Sequence, residues 1–161
     1  GGAIFLHALG MGLASYPRGI DQLKNEESWV DVVTAQINNR YNRPPTPEEI
    51  ESPPEEIKSA VIEILLRNLH AKHAEELAST HWTADPGNPP QYLIEDNEIR
   101  LIFGRTIGLI AHSHWWAVNK LETMFSRTLG APPWCPNDWR VDPLKIACLL
   151  RVADASHIDS R

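Results

Sequence analysis

The chain has 161 residues, the length of one domain and too short for two domains with well-developed cores. Its 15 basic residues are outnumbered by 21 acidic ones, and the net charge of −6 together with the lack of a basic run argues against broad electrostatic binding to nucleic acid. Two cysteines without a CxxC spacing exclude a disulfide scaffold or a zinc knuckle, which favours a cytoplasmic location.

The start of the chain is apolar but does not predict a membrane protein. Segment 3–15 lacks the basic stretch of a signal peptide, and no apolar run is long enough to span a bilayer. We therefore expect no membrane association. Because the chain opens on Gly1 and Gly2, enters a helical pattern at once and stops at DASHIDSR without a closing signal, we expect a segment of a longer protein.

Apolar residues recur at helical spacing along most of the chain, and proline-rich segments separate the predicted helices. We expect helices over 3–15, 26–40, about 53–78, 95–125 and from 143 onwards, with a loop over 79–92. Two capping boxes, Thr46 with Glu49 and Ser52 with Glu55, precede the third helix, and Asp142 caps the last. Strand patterns are nearly absent. The sequence predicts one all-α domain, a bundle of five or six helices.

Paired tryptophans have two interpretations. Trp115 with Trp116, and Trp134 with Trp139 in the proline-rich segment 129–140, could stack on nucleic-acid bases. We favour the other interpretation, in which these rings pack in the core against the last helix.

Three ionisable residues interrupt the apolar faces of predicted helices. His7 does so in the first helix, His114 in the fourth and Asp154 in the last. The face in the fourth helix consists of Phe103, Ile107, Ile110, His114, Val118, Leu121 and Phe125. An isolated buried carboxylate costs several kcal/mol, so each of the three residues needs a hydrogen-bonding, ionic or metal partner.

A divalent metal ion would satisfy all three residues, because neutral imidazole and carboxylate are ligands of Zn, Mn and Fe. His70 on the third helix is a fourth candidate, whereas His73 and His112 are expected to be less buried. The candidate ligands are predicted to converge on one cavity, with His114 and Asp154 no more than about 12 Å apart: His7, His70, His114 and Asp154. The alternative is a structural helical bundle whose histidines are satisfied by backbone carbonyls.

Four segments carry these candidates along the chain: HALGM, RNLHAKHAEEL, IGLIAHSHWW and ACLLRVADASHID. Their order and spacing, which cover nearly the whole chain, resemble the HD superfamily of metal-dependent phosphohydrolases. The likeness is greatest to HD domains that bacterial conflict and defence proteins join to an Hsp90-like ATPase. The resemblance implies an HD-domain-like helical bundle, a role in antiviral defence and an ATPase domain of that class in the same chain.

The chain departs from this family at its defining His-Asp doublet, where it has His7 followed by Ala8. In the resembling proteins the doublet aspartate is a metal ligand and helps to hold the attacking water. Alanine has no lone pair, so the resemblance implies that a catalytic ligand is missing and that this copy is impaired. The family also uses an earlier histidine, which would lie before Gly1.

Carried over to this chain, the resemblance assigns a role to each candidate residue. His7 and the catalytic Asp154 would hold the principal metal, and His70 and His114 would bind a second metal or the substrate phosphate. Arg151, in the LLRVAD segment, is a candidate substrate-binding residue, although an arginine on a mostly apolar helix more often extends to solvent or pairs with a carboxylate. The implied cofactor is one or two ions of Mn, Fe, Ni, Zn or Mg, and the implied substrate is a phosphate ester of a nucleotide or nucleic acid. The alternative is a catalytically silent HD-like module that senses a nucleotide or mediates assembly.

Overall fold

The computed structural model describes residues 2–83 and 87–158, and within these ranges it confirms an all-α fold. The helices are α1 (Gly2–Leu9), α2 (Ile20–Lys24), α3 (Ser28–Tyr41), α4 (Pro47–Glu51), α5 (Glu55–Glu76), α6 (Asn97–His112), α7 (Val118–Met124) and α8 (Pro143–Ile158). Three-residue 3₁₀ turns occupy Leu13–Ser15 and Ser113–Trp115. These helices outnumber the five or six expected, because the short helices α2 and α4 were not predicted and the predicted fourth helix is divided into α6 and α7.

Two antiparallel ribbons of two residues per strand interrupt the helices. β1 (His81–Trp82) pairs with β2 (Gln91–Tyr92), and β3 (Leu129–Gly130) pairs with β4 (Arg140–Val141). The first ribbon lies in the segment that was predicted to be a loop. Strands this short carry no alternating pattern that the sequence could reveal.

The chain divides into two compact units. The first comprises the described residues of Gly1–Leu9 and Ala71–Arg161, and the second comprises Gly10–His70. α5 belongs to the second unit as far as His70 and to the first from Ala71 onwards. No helix in the described ranges is long and apolar enough to cross a membrane.

The second unit has its own hydrophobic core, built from α2, α3 and the first turns of α5. Its buried residues are Tyr16, Leu23, Trp29, Val33, Ile37, Ile57, Val61 and Leu65. In addition to this apolar packing, the indole Nε1 of Trp29 donates to the carbonyl of Ile50, 2.8 Å away, which ties α3 to α4. The hydrogen bond from the buried Trp29 therefore helps to position the short helix α4.

One of the two predicted capping boxes forms and the other does not. The backbone N–H of Glu49 donates to Thr46 Oγ1, and the N–H of Thr46 donates to Glu49 Oε2. The box predicted at Ser52 is wrong, because Ser52 ends α4 and α5 begins only at Glu55. A residue that precedes proline is disfavoured in the helical region, so the Pro53-Pro54 pair delays the start of α5.

A paired arginine and glutamate stabilise the start of α4 in a pH-dependent way. Arg43 Nη1 and Nη2 lie 2.8 Å and 2.6 Å from the two carboxylate oxygens of Glu49. These hydrogen bonds, and that from the N–H of Thr46, lower the pKa of Glu49 from 4.5 to about 2.

The lowered pKa predicts the direction of an acid effect on stability. A carboxyl whose pKa is depressed by folding stabilises the fold above pH 4.5, and this contribution is lost as the pH falls towards 2. We therefore expect the stability difference between the wild type and Glu49→Gln to shrink over this range. Urea unfolding at a series of pH values measures it. Glu48→Gln, at an exposed neighbouring position, is the control, and an equal pH dependence in both variants would contradict the assignment.

The first unit is built on α6, against which α1 and α8 both pack. One buried group comprises Ala3, Ile110, Trp116, Leu121, Phe125, Ala147 and Leu150, and a second comprises Leu6, Ala74, Leu77, Ala78 and Ala111. α8 begins as predicted, since the N–H of Lys145 donates to Asp142 Oδ1 at 3.0 Å. These three helices form the framework on which the candidate site residues are carried.

The predicted helix over 95–125 is wrong as one continuous element. α6 ends at His112, a 3₁₀ turn follows, and Trp116 and Ala117 are extended before α7 begins. The buried Ser113 hydroxyl donates to the carbonyl of Ile110 at 2.7 Å, a side-chain bond that competes with helix continuation. Beyond the break Val118 is 63% exposed, whereas Leu121 and Phe125 of the predicted face are buried. His114 consequently lies on a turn.

Two further expectations fail in the first unit. α1 ends at Leu9 and not near residue 15, because Gly10 and Gly12 disfavour helix. Core packing of the tryptophans is confirmed for Trp116 only, whereas the other three are exposed: Trp115, Trp134 and Trp139. The last two lie on the connection between β3 and β4, a ribbon too small to cover them.

Candidate metal centre

Three elements of the first unit bring an imidazole pair and a carboxylate together. The rings of His7 on α1 and His114 on the 3₁₀ turn are 4.2 Å apart between centroids and nearly perpendicular, at 87°. Asp154 on α8 places Oδ1 3.7 Å from His7 Nε2. The side chains of His7 and Asp154 are 15% and 31% exposed, so the group lies at the surface edge of the unit, where a ligand has access.

Backbone hydrogen bonds fix the orientation of two histidine rings. His114 Nδ1 lies 2.7 Å from the carbonyl oxygen of Ala111, and His70 Nδ1 lies 2.6 Å from that of Arg67. A carbonyl can only accept, so in both rings Nδ1 carries the hydrogen and the lone pair is on Nε2. Metal-binding histidines are oriented in this way, by a bond from the other ring nitrogen.

Three histidines form a group that could hold a metal ion. His7, His70 and His114 each offer one nitrogen, and the three nitrogens lie within 4.8 Å of one another. His70 is the residue of α5 that immediately precedes those belonging to the first unit. Three imidazoles with a carboxylate beside one of them form a donor set that suits Zn, Mn, Fe or Ni. The residues present therefore fit a divalent transition metal.

Comparison with known proteins gives one finding about the family. A family model described as HD-CE matches residues 1–161. The chain belongs to the HD-CE family. No curated protein matches the chain, and no solved structure matches it. Family membership confirms an HD-like domain. The attachment to an Hsp90-like ATPase and the meaning of Ala8 stay predictions.

The residue that follows His7 offers no metal ligand. Ala8 follows His7 on α1, is exposed, and has a methyl side chain. His7 itself is half-buried and lies against His114 and Asp154. The carboxylate near His7 is therefore supplied from α8, at the other end of the chain.

Arg151, predicted to bind substrate, makes three contacts with backbone. Its Nη1 lies 3.0 Å from the carbonyl oxygen of Ser113, 3.1 Å from that of His114 and 2.7 Å from that of Trp116. This nitrogen is consequently engaged by the turn that carries His114. A phosphate contact would fall to the remaining guanidinium nitrogens.

Two features near the site were not predicted. His73, expected to be less buried, is 6% exposed, as is His70, and this expectation was wrong. Residues three apart on a helix share a face, which could have indicated that the two histidines are buried alike. His112 Nδ1 lies 2.6 Å from Glu75 Oε2, which ties α6 to the last turns of α5. No local pattern reveals a pair 37 residues apart.

Proposed function

We propose that this HD-CE chain is a metal-dependent phosphohydrolase domain acting on a phosphate ester of a nucleotide or nucleic acid, and that Ala8 impairs this copy. The observation that carries the proposal is the convergence of His7, His114 and Asp154 from three separate elements. Packing alone does not require imidazole, imidazole and carboxylate at one place, since uncompensated polar groups are costly to bury. A divalent ion would accept all three side chains as ligands.

The proposed mechanism assigns each ligand a task. His7, His70 and His114 would supply nitrogens, and Asp154 would supply the anionic oxygen. A bound divalent ion would lower the pKa of a water molecule towards neutrality and neutralise charge on the phosphoryl group. The carbonyls of Arg67 and Ala111 hold the two rings in the tautomer that presents Nε2. Asp154 Oδ1 lies 3.7 Å from His7 Nε2, which places the anionic donor beside this nitrogen.

The proposed substrates form a broad class that shares a phosphate ester. The net charge of −6 does not oppose a phosphate substrate, because metal ions and nearby arginines set the local field. Mononucleotides, cyclic nucleotides, second messengers and nucleic-acid ends all present the same phosphoryl chemistry. We further propose that the domain works in the cytoplasm, in antiviral defence, joined to an Hsp90-like ATPase.

A second candidate function is a catalytically silent module that senses a nucleotide or mediates assembly. The observation that favours it is Ala8, which offers no lone pair beside His7. A purely structural role of the histidines is a third interpretation, and it is favoured by the backbone bonds of His70 and His114. The metal content of the purified protein distinguishes these two interpretations from the enzyme interpretation.

Elemental analysis of the purified protein, followed by titration with Mn²⁺ and Zn²⁺, tests the proposal. We expect His114→Ala and Asp154→Asn to weaken metal binding by about tenfold or more, because each removes a donor atom. His81→Ala, at an exposed histidine of the same unit, is the matched control and should leave binding unchanged. If His114→Ala lowers the unfolding temperature without changing metal uptake, the histidines are structural and the enzyme interpretation fails.

A further inference from the structure

We infer that Arg151 is a positioning residue: it fixes the turn that carries His114 and keeps that histidine aligned with Asp154. The inference rests on the proposed function in so far as it concerns metal binding. Its structural part, the hold on the turn, means the contacts of Arg151 with the carbonyls of Ser113, His114 and Trp116, all within the first unit.

The end of α6 creates a need for hydrogen-bond donors. The last carbonyl groups of a helix have no partner within the helix, and here the chain tightens into a 3₁₀ turn and then becomes extended at Trp116. The carbonyl oxygens of Ser113, His114 and Trp116 all lie within 3.1 Å of one nitrogen, Arg151 Nη1. One nitrogen, with two hydrogens to donate, thus lies among three oxygens from four consecutive residues, the shortest distance being that to Trp116.

These contacts fix the backbone on both sides of His114. The carbonyl of Ser113 belongs to the peptide group that precedes the Cα atom of His114, and the carbonyl of His114 belongs to the group that follows it. Because peptide groups are planar, holding both oxygens restricts both backbone dihedral angles of His114. The imidazole starts from this restricted position and is then oriented by its bond to the carbonyl of Ala111.

Charge makes arginine suited to this position. The carboxyl end of a helix carries partial negative charge, and a guanidinium is protonated at every physiological pH. Charge-assisted hydrogen bonds are roughly twice as strong as neutral ones. The side chain is half-buried, which limits screening by water. A neutral residue at position 151 would remove the charged donor from all three carbonyls and leave that of Ser113 only the N–H of Trp116.

α8 carries both Arg151, which contacts the turn, and Asp154, the carboxylate of the candidate site. Arg151 and Asp154 are three residues apart on α8, so they lie on one face of the helix. Arg151 reaches the backbone of His114, and Asp154 reaches the imidazole of His7. The same helical turn therefore positions one candidate ligand and supplies another.

Arg151→Gln and Arg151→Lys test the structural part without any metal. We expect Arg151→Gln to accelerate hydrogen exchange of the Trp116 amide, which donates to the carbonyl of Ser113, and to shift the ¹⁵N signals of the His114 ring. Arg151→Lys should cause smaller changes than Arg151→Gln in both the exchange rate and the ¹⁵N signals, because an ammonium can reach one or two of the oxygens. Arg127→Gln, at an exposed arginine of the same unit, is the matched control. Unchanged signals in Arg151→Gln would overturn the inference.

A double-mutant cycle with His114→Ala tests the link to metal binding. We expect Arg151→Gln to weaken Mn²⁺ binding by about 10–100-fold, as for other residues that orient ligands. In the His114→Ala background the same substitution should weaken binding no further, because Arg151 acts through His114. An equal loss in both backgrounds would show a general structural effect and overturn the inference.

The two readouts separate this inference from the proposed function. If the wild type binds no Mn²⁺ while Arg151→Gln still alters the Trp116 and His114 signals, the proposed metal centre fails and the hold on the turn stands. If Arg151→Gln leaves both the signals and metal affinity unchanged but weakens binding of inorganic phosphate, Arg151 is a substrate residue and the inference is overturned.

Discussion

Replacing Ala8 with aspartate is expected to raise the metal content of this HD-CE chain and to produce hydrolysis of a phosphate ester. Position 8 directly follows His7, and under the proposed function a carboxylate there would add an anionic ligand beside that histidine. An added anionic ligand strengthens the binding of a divalent ion and orients its water. We expect affinity for Mn²⁺ or Zn²⁺ to rise by about tenfold or more.

Two further variants show whether the gain has this cause. Ala8→Asn keeps nearly the shape of aspartate without its charge and should gain little. Combining Ala8→Asp with Asp154→Asn should abolish the gain, since both carboxylates would serve the same ion. Elemental analysis gives the metal content, and activity is measured on nucleotides, cyclic dinucleotides and single-stranded oligonucleotides. Unchanged metal content in Ala8→Asp would leave the sensing or structural module as the better account.

Replacing Gly108 with alanine is expected to destabilise the first unit. Gly108 lies on α6 where that helix approaches the last turns of α5, and a Cβ atom there would overlap the carbonyl oxygen of Glu75 and lie 2.9 Å from its carbonyl carbon. Backbone atoms cannot rotate away as a side chain can. Overpacking of this kind costs about 1–3 kcal/mol, which exceeds the gain of about 1 kcal/mol that alanine usually brings within a helix.

Gly104, one turn earlier on α6, provides the matched control. A Cβ atom there would meet Ala78 Cβ at 3.4 Å, an ordinary contact, so Gly104→Ala should leave stability unchanged or raise it by up to about 1 kcal/mol. Thermal unfolding followed by circular dichroism compares the variants, with roughly 2–4 °C expected per kcal/mol for a chain of this length. If Gly108→Ala were as stable as Gly104→Ala, the close approach of α6 to α5 would be wrong.

The helical class and several helix ends followed from local chemistry. Thr46 with Glu49, and Asp142, satisfy backbone N–H groups at helix starts, and such bonds depend only on residues three apart. The predicted helix ends were wrong where a nearby proline pair or a side-chain hydrogen bond interrupts the helix. The Pro53-Pro54 pair delays α5, and the Ser113 hydroxyl accompanies the end of α6, although the apolar spacing continues beyond it.

The candidate ligands were identified from the sequence, but their arrangement was not. A polar residue on an apolar face is visible in one helix, which is why His7, His114 and Asp154 were found. Contacts between residues far apart in the chain leave no local pattern, and the sequence therefore did not reveal the pairing of His112 with Glu75 or the hold of Arg151 on the turn at His114.

By itself, then, the sequence determined the all-α class and the residue types available for metal chemistry, because both depend on periodicity and side-chain chemistry within short segments. The tertiary structure decided which of these residues meet. His7 and Asp154 come from opposite ends of the chain, and their separation of 3.7 Å exists only because α1 and α8 both pack against α6. Burial of apolar surface drives that packing, and it acts between segments that no local pattern connects.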